Sequence, residues 1–219
     1  MTEAVRFSKY SGALAVPDRQ RSPGLVICHE WWGLNDDMRA MAERFADEGF
    51  LSLAVDLYAG RVTDDQNEAA VLSNELRTPD AMKVVQAACD YLAAHPRGTG
   101  KVGVTGFCLG GAMALAAACN VDGLGAVLPF YGLPRAEHAN WSRAKAPIQG
   151  HFATQDGFVT PERVTAAHVA ALAAGAKFEL HFYDAGHAFM RKGDAQAYDA
   201  TAAELAWSRA TEFLHRNLD

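Results

Sequence analysis

Cys108 stands at the centre of Gly106-Phe-Cys-Leu-Gly-Gly111, a spacing suited to covalent attack on a carbonyl carbon. A short β-type run carrying Val102 and Val104 leads into it, and an Ala-rich stretch from Ala112 leads away. Strand, sharp turn and helix in that order form the pattern of a nucleophile elbow, Gly-x-Ser-x-Gly, with sulfur in place of the hydroxyl. The glycines have a physical cause. An elbow nucleophile sits in a sparsely populated backbone conformation, and larger side chains two residues to either side would clash. The helix that follows aims its free N–H groups at the thiol, which favours a thiolate and any oxyanion formed beside it. The competing reading is a buried structural cysteine in a Gly-containing turn. The rest of the chain decides between the two.

In doubly wound sheets ligands bind outside the carboxyl ends of the strands, so polar residues just after strand-like runs are the ones to find. Glu30, Cys108, Asp156 and His187 occupy such places. A nucleophile, then an acid, then a histidine is the chain order of α/β-hydrolases, and Cys108, Asp156 and His187 fit it. His187 lies in Tyr183-Asp-Ala-Gly-His-Ala-Phe189 and is the side-chain type best suited to move a proton near neutral pH. Asp156, in Thr154-Gln-Asp-Gly-Phe158, would orient that ring and stabilise the imidazolium. Asp184 is the competing acid, but its place before Gly186 reads as a loop-structuring residue. The other seven histidines, His29, His95, His138, His151, His168, His181 and His215, read as solvated or core residues.

Strand-like and helix-like segments alternate around these positions. Strands are predicted over 25–28, 51–55, 102–105, 124–130, 148–152 and 178–182, and the first is closed by the loop His29-Glu-Trp-Trp-Gly33. Helices are predicted over 36–48, 67–77, 80–94, 160–174 and 194–216, besides the one leaving the elbow. Thr78-Pro79 separates the second helix from the third, and a polar loop covers 60–67. Residues 13–16 are expected as an antiparallel edge piece. Parallel strands need crossover helices, so the pattern predicts one α/β domain over 1–219, a mostly parallel sheet with helices on both faces. No repeat or linker interrupts it.

With these residues together, the chain resembles the dienelactone hydrolase (carboxymethylenebutenolidase) family of α/β-hydrolases. The elbow, the His29–Gly33 loop, the Asp156 loop and Gly186-His-Ala-Phe-Met-Arg191 occur in the family's order, over roughly residues 20–215. The resemblance implies an α/β-hydrolase that opens a lactone or ester by cysteine acyl transfer, of the kind used in aromatic compound degradation. It implies that Glu30 contacts the cysteine before substrate arrives and helps switch it to thiolate. A carboxylate near sulfur can accept its proton yet opposes a permanent negative charge there, and a resting thiol is less open to oxidation. It further implies that the N–H groups of Trp31 and Leu109 form an oxyanion hole, that Arg191 binds a substrate carboxylate, and that Tyr131 lines the pocket. A second carboxylate-binding arginine, expected near Gln66-Asn-Glu68, is missing. That departure favours a broader carboxylesterase or thioesterase as the rival reading. A catalytically idle, redox-sensing relative is the third, and a complete Cys-His-Asp set argues against it.

Composition narrows the field. A formal net charge of −6 without a Lys/Arg cluster gives no support for nucleic-acid binding. No apolar run approaches membrane-spanning length, and the start Met-Thr-Glu-Ala-Val-Arg-Phe shows no secretory pattern. Cys28, Cys89, Cys108 and Cys119 are scattered, without a Cys-x-x-Cys pair, and read as reduced thiols of a cytoplasmic protein. His29-Glu30 lacks a second histidine four residues on, so the helical zinc-protease motif is absent. The expectations are no metal or cofactor, a small-molecule lactone or ester as partner, and a monomer or small homo-oligomer.

Overall fold

The central strands explain the architecture. In the computed structural model, which describes residues 1–219, the run Ser22–Cys28 (β3) is buried at every position. Leu51–Val55 (β4) is buried throughout as well. Strands with two covered faces carry continuous apolar runs rather than alternation. β3 lies parallel to β4 on one side and to Gly98–Phe107 (β5) on the other. Leu124–Phe130 (β6), Ile148–Ala153 (β7) and Phe178–Tyr183 (β8) continue the sheet in parallel.

At the opposite edge, Glu3–Phe7 (β1) and Tyr10–Ala15 (β2) form an antiparallel hairpin, and β2 pairs antiparallel with β4. The expected edge piece at 13–16 is therefore part of a longer strand with a partner of its own. The order is β1-β2-β4-β3-β5-β6-β7-β8, one sheet of eight strands.

Helices cover both faces. Asp36–Asp47 (α1) and Ala200–Leu218 (α6) pack on one, contributing Phe45, Trp207 and Phe213 to its core. Gln66–Glu75 (α2), Thr78–Ala94 (α3), Leu109–Asn120 (α4) and Pro161–Ala173 (α5) cover the other. Pro79 falls in the first turn of α3 rather than ahead of it, where its missing N–H costs nothing. The last helix begins at Ala200, not 194. Asp194 instead caps a separate turn through the N–H groups of Gln196 and Ala197, and Asp199 accepts from Ala202 N–H at 2.8 Å to start α6. α4 is apolar on all sides and buried from Gly110 to Cys119, as a helix enclosed by neighbours must be. No helix is long and apolar enough to cross a membrane.

Candidate active site

The elbow is built by close backbone approach. Cys108 sits between the end of β5 and the start of α4 with φ 54° and ψ −115°, a region that side chains other than glycine rarely occupy. Its N–H donates to the Phe130 carbonyl at 3.1 Å, which fixes the turn against β6. A Cβ at Gly106 would lie 2.1 Å from the Gly110 carbonyl oxygen, and one at Gly110 would lie 2.1 Å from that of Cys28. Alanine favours a helix by about 1 kcal/mol over glycine, but a clash with rigid backbone outweighs that gain. Gly110→Ala is expected to lower the unfolding temperature by about 10 °C or more, equivalent to a loss of a few kcal/mol. Calorimetry of the purified variant checks this.

The three residues in hydrolase order meet beside the elbow. His187 follows β8, and its Nε2 lies 3.2 Å from the Cys108 sulfur. Its Nδ1 lies 2.7 Å from Asp156 Oδ2. The other oxygen of Asp156 accepts from the N–H groups of Phe158 and Val159 at 2.8 and 2.9 Å, so the carboxylate is pinned in a turn after β7. Asp184 points elsewhere and accepts from Gln155 Nε2 at 2.8 Å. Burial by itself would lower the His187 pKa, yet the hydrogen bonds to Asp156 and to Cys108 outweigh it and raise it to about 10. Burial would raise Asp156, but the hydrogen bonds from His187, Val159 and Phe158 hold it below its ordinary value. The imidazole is therefore a strong proton acceptor facing a thiol.

Glu30 is buried just after β3. Its Oε1 accepts from the Tyr131 hydroxyl at 3.4 Å, and its Oε2 lies 3.8 Å from Arg191 Nε. The family resemblance implied a carboxylate turned toward sulfur before substrate arrives. In this structure the sulfur faces His187 instead, and Glu30 faces a cation and a hydroxyl donor. Tyr131 is itself buried, its ring 5.3 Å from His187 and 5.3 Å from Phe189. It lines a cavity together with Glu30, Phe107, Met190 and Arg191, and its hydroxyl donates to Glu30 Oε1.

Arg191 also approaches Asp37 at 3.8 Å and Asp194 at 3.5 Å. Both carboxylates escaped the sequence reading. Asp194 stands three residues after Arg191 and was open to suspicion, whereas Asp37 arrives only through the tertiary fold.

The Glu30–Trp31 loop is held from below by His29. One ring nitrogen lies 2.5 Å from the Glu30 carbonyl, and Nε2 accepts from Leu57 N–H at 3.1 Å. Burial lowers its pKa to about 4, so the ring is a neutral tie. The Trp31 N–H has no protein acceptor. Leu109 opens α4, ahead of the first helical bond from Ala112 N–H to the Cys108 carbonyl, where N–H groups are left over.

Burial raises Glu30 to about 7 from an ordinary 4.5, against the pull of Arg191. A raised carboxylate contributes stability that is complete below pH 4.5 and is lost as pH rises through about 7. Glu30→Gln removes that loss. The variant is expected to match the parent near pH 4 and exceed it by about 3 kcal/mol above pH 8, which denaturant titration at both pH values measures.

The model of the dienelactone hydrolase family matches residues 10–218. The chain belongs to the dienelactone hydrolase family. A carboxymethylenebutenolidase of a Pseudomonas species is 31% identical over 95% of this chain and 90% of its own length. Another relative, protein usf of Aquifex pyrophilus, is 31% identical over 96% of this chain and 94% of its own. Among solved structures, a dienelactone hydrolase-like promiscuous phosphotriesterase from metagenomic libraries superposes with a TM-score of 0.86 at 24% identity. That alignment covers 100% of this chain and 99% of the other, a likeness of fold. This member of the family is a carboxylic ester hydrolase with an α/β-hydrolase sheet.

Proposed function

We propose that the chain hydrolyses a lactone or carboxylic ester through an acyl-enzyme on Cys108, using His187 as the proton carrier and Asp156 as its orienting acid. The observation that carries this reading is the contact chain from Asp156 Oδ2 through both His187 nitrogens to the Cys108 sulfur, 2.7 and 3.2 Å long. His187 Nε2 takes the thiol proton, and the thiolate so formed attacks the carbonyl carbon. The carbonyl π electrons pass to oxygen, which the N–H groups of Trp31 and Leu109 stabilise. Collapse breaks the bond to the leaving oxygen, which takes the proton back from the imidazolium. For an enol lactone the leaving group is an enolate, a good partner for a thiolate nucleophile. Water then attacks the thioester with His187 as base, and the acid product leaves with the thiolate restored.

In this reading Glu30 tunes the cycle through its charge, a role supported by its burial after β3 and by its contacts with the Tyr131 hydroxyl and Arg191. No metal or organic cofactor is required by these steps. All four cysteines are free thiols, which fits our placement of the enzyme in the cytoplasm. A panel of enol lactones, neutral esters and thioesters tests the function. Turnover of at least one lactone or ester supports it, and inertness toward the whole panel overturns it.

A further inference from the structure

We infer, resting on the acyl-transfer reading of Cys108 with Trp31 as an oxyanion donor, that His29 is a positioning residue which aims the Trp31 N–H through the Glu30–Trp31 peptide. The hydrogen bonds of the imidazole decide its tautomer. Leu57 N–H can only donate and lies 3.1 Å from Nε2, so Nε2 accepts and Nδ1 carries the proton. Nδ1–H therefore donates to the Glu30 carbonyl, 2.5 Å away. Gly33 N–H donates to the same oxygen at 3.3 Å. That carbonyl and the Trp31 N–H belong to one peptide group, and no peptide bond in the chain is cis. In a trans peptide the two point in opposite directions, so two donors on the oxygen fix the direction of the N–H. The Trp31 N–H itself has no protein acceptor. Donation to the oxygen also polarises the amide and strengthens its N–H as a donor.

Both ends of this brace are anchored. Leu57 lies in the loop after β4, where the Asp56 carboxylate accepts from the N–H groups of Tyr58 and Gly60 at 3.0 and 2.6 Å. The Tyr58 ring meets the imidazole edge-on at 4.7 Å, and His29 is fully buried. Burial lowers its pKa to about 4, so at neutral pH the ring keeps the single proton that the Glu30 carbonyl needs. On its backbone side His29 abuts the elbow. A Cβ at Gly110 would lie 2.7 Å from the His29 carbonyl oxygen, one residue from Leu109, the second oxyanion donor. His29 thus ties the loop that carries one donor to the loop after β4 and packs against the helix start that carries the other. A role in stability alone would make kcat and unfolding temperature fall together when the ring is changed. A role in aiming the donor separates them, because only one of the two ring bonds reaches the reacting peptide.

The test divides the two bonds between two variants. In His29→Asn the amide nitrogen stands as many bonds from Cβ as Nδ1 does, so it still donates to the Glu30 carbonyl and Leu57 N–H is given up. In His29→Gln the amide oxygen stands as many bonds from Cβ as Nε2 does, so it still accepts from Leu57 N–H and the bond to Glu30 is given up. With 4-nitrophenyl hexanoate, His29→Gln is expected to lower kcat by about 10–100-fold with KM within about threefold, since a misdirected oxyanion donor weakens the transition state and not the ground state. Acylation and deacylation both pass through the oxyanion, so the loss appears whichever step is slower. His29→Asn is expected to keep kcat within about threefold of the parent. Unfolding temperatures are expected to fall by a few degrees in both, each having lost one buried hydrogen bond. A kcat for His29→Gln equal to or above that of His29→Asn overturns the inference and leaves the Cys108 mechanism standing. If the parent forms no acyl adduct on Cys108, the mechanism falls and takes the role of His29 with it.

Discussion

Cys108→Ala is expected to lower ester hydrolysis by about 10⁶-fold, the scale seen when a triad nucleophile is removed, while leaving the unfolding temperature essentially unchanged. The sulfur contributes little packing. It is only partly buried, and its polar contact is His187. Alanine keeps the Cβ and the same strained backbone, so the elbow survives. Residual activity would come from the Trp31 and Leu109 N–H groups and from substrate binding, which act without a nucleophile. Cys108→Gly separates the two roles of this position. It loses the same activity but gains about 1–2 kcal/mol, because glycine tolerates φ 54° without strain. Kinetics with a 4-nitrophenyl ester and thermal unfolding of both variants check the pair.

Asp156→Asn is expected to cost about 10³–10⁴-fold in kcat with the fold intact, as a triad acid does when its replacement enforces the wrong tautomer. The geometry gives the reason. Oδ1 serves the N–H groups of Phe158 and Val159, and an asparagine oxygen must stay there to keep the turn. Its amide NH₂ then faces His187 Nδ1 and obliges that nitrogen to accept. The ring proton moves to Nε2, the atom 3.2 Å from sulfur, which can no longer take the thiol proton. Asp184→Asn provides the contrast. Asp184 contacts Gln155 and Thr154 and not His187, so the change is expected to alter kcat by less than about twofold, as surface substitutions do. Equal losses from the two variants would contradict the assignment of the acid.

Much of this was legible in the sequence because local rules force it. The glycines around Cys108 announce the backbone approach that leaves 2.1 Å for any Cβ. The short apolar runs of β3 and β4, alternating with helix-like segments, read as strands covered on both faces, and that ordering put Asp156 and His187 at one sheet end. The N-terminal hairpin was harder. β1 is a short, largely exposed edge strand, so no strong apolar pattern marks it. The start of the last helix was misplaced because Asp194 and Asp199 both carry helix-cap chemistry, and only tertiary contacts choose Asp199. The partners of Glu30 and Arg191 were least legible. Tyr131, Asp37 and Arg191 come from β6's end, α1 and the loop after β8, and charge pairing across such distances leaves no local trace. The resemblance supplied roles for these residues. It did not reveal that three carboxylates would surround one guanidinium.

The central claim is that Cys108 carries the acyl group. The most direct measurement is the mass of the enzyme quenched in acid during turnover of 4-nitrophenyl hexanoate, followed by peptide mapping. The account predicts a hexanoyl adduct, labile to hydroxylamine as a thioester is, on the peptide containing Cys108. It also predicts that Cys108→Ala acquires none. An adduct on another residue, or sustained turnover with Cys108 unmodified and replaceable by alanine, would contradict it.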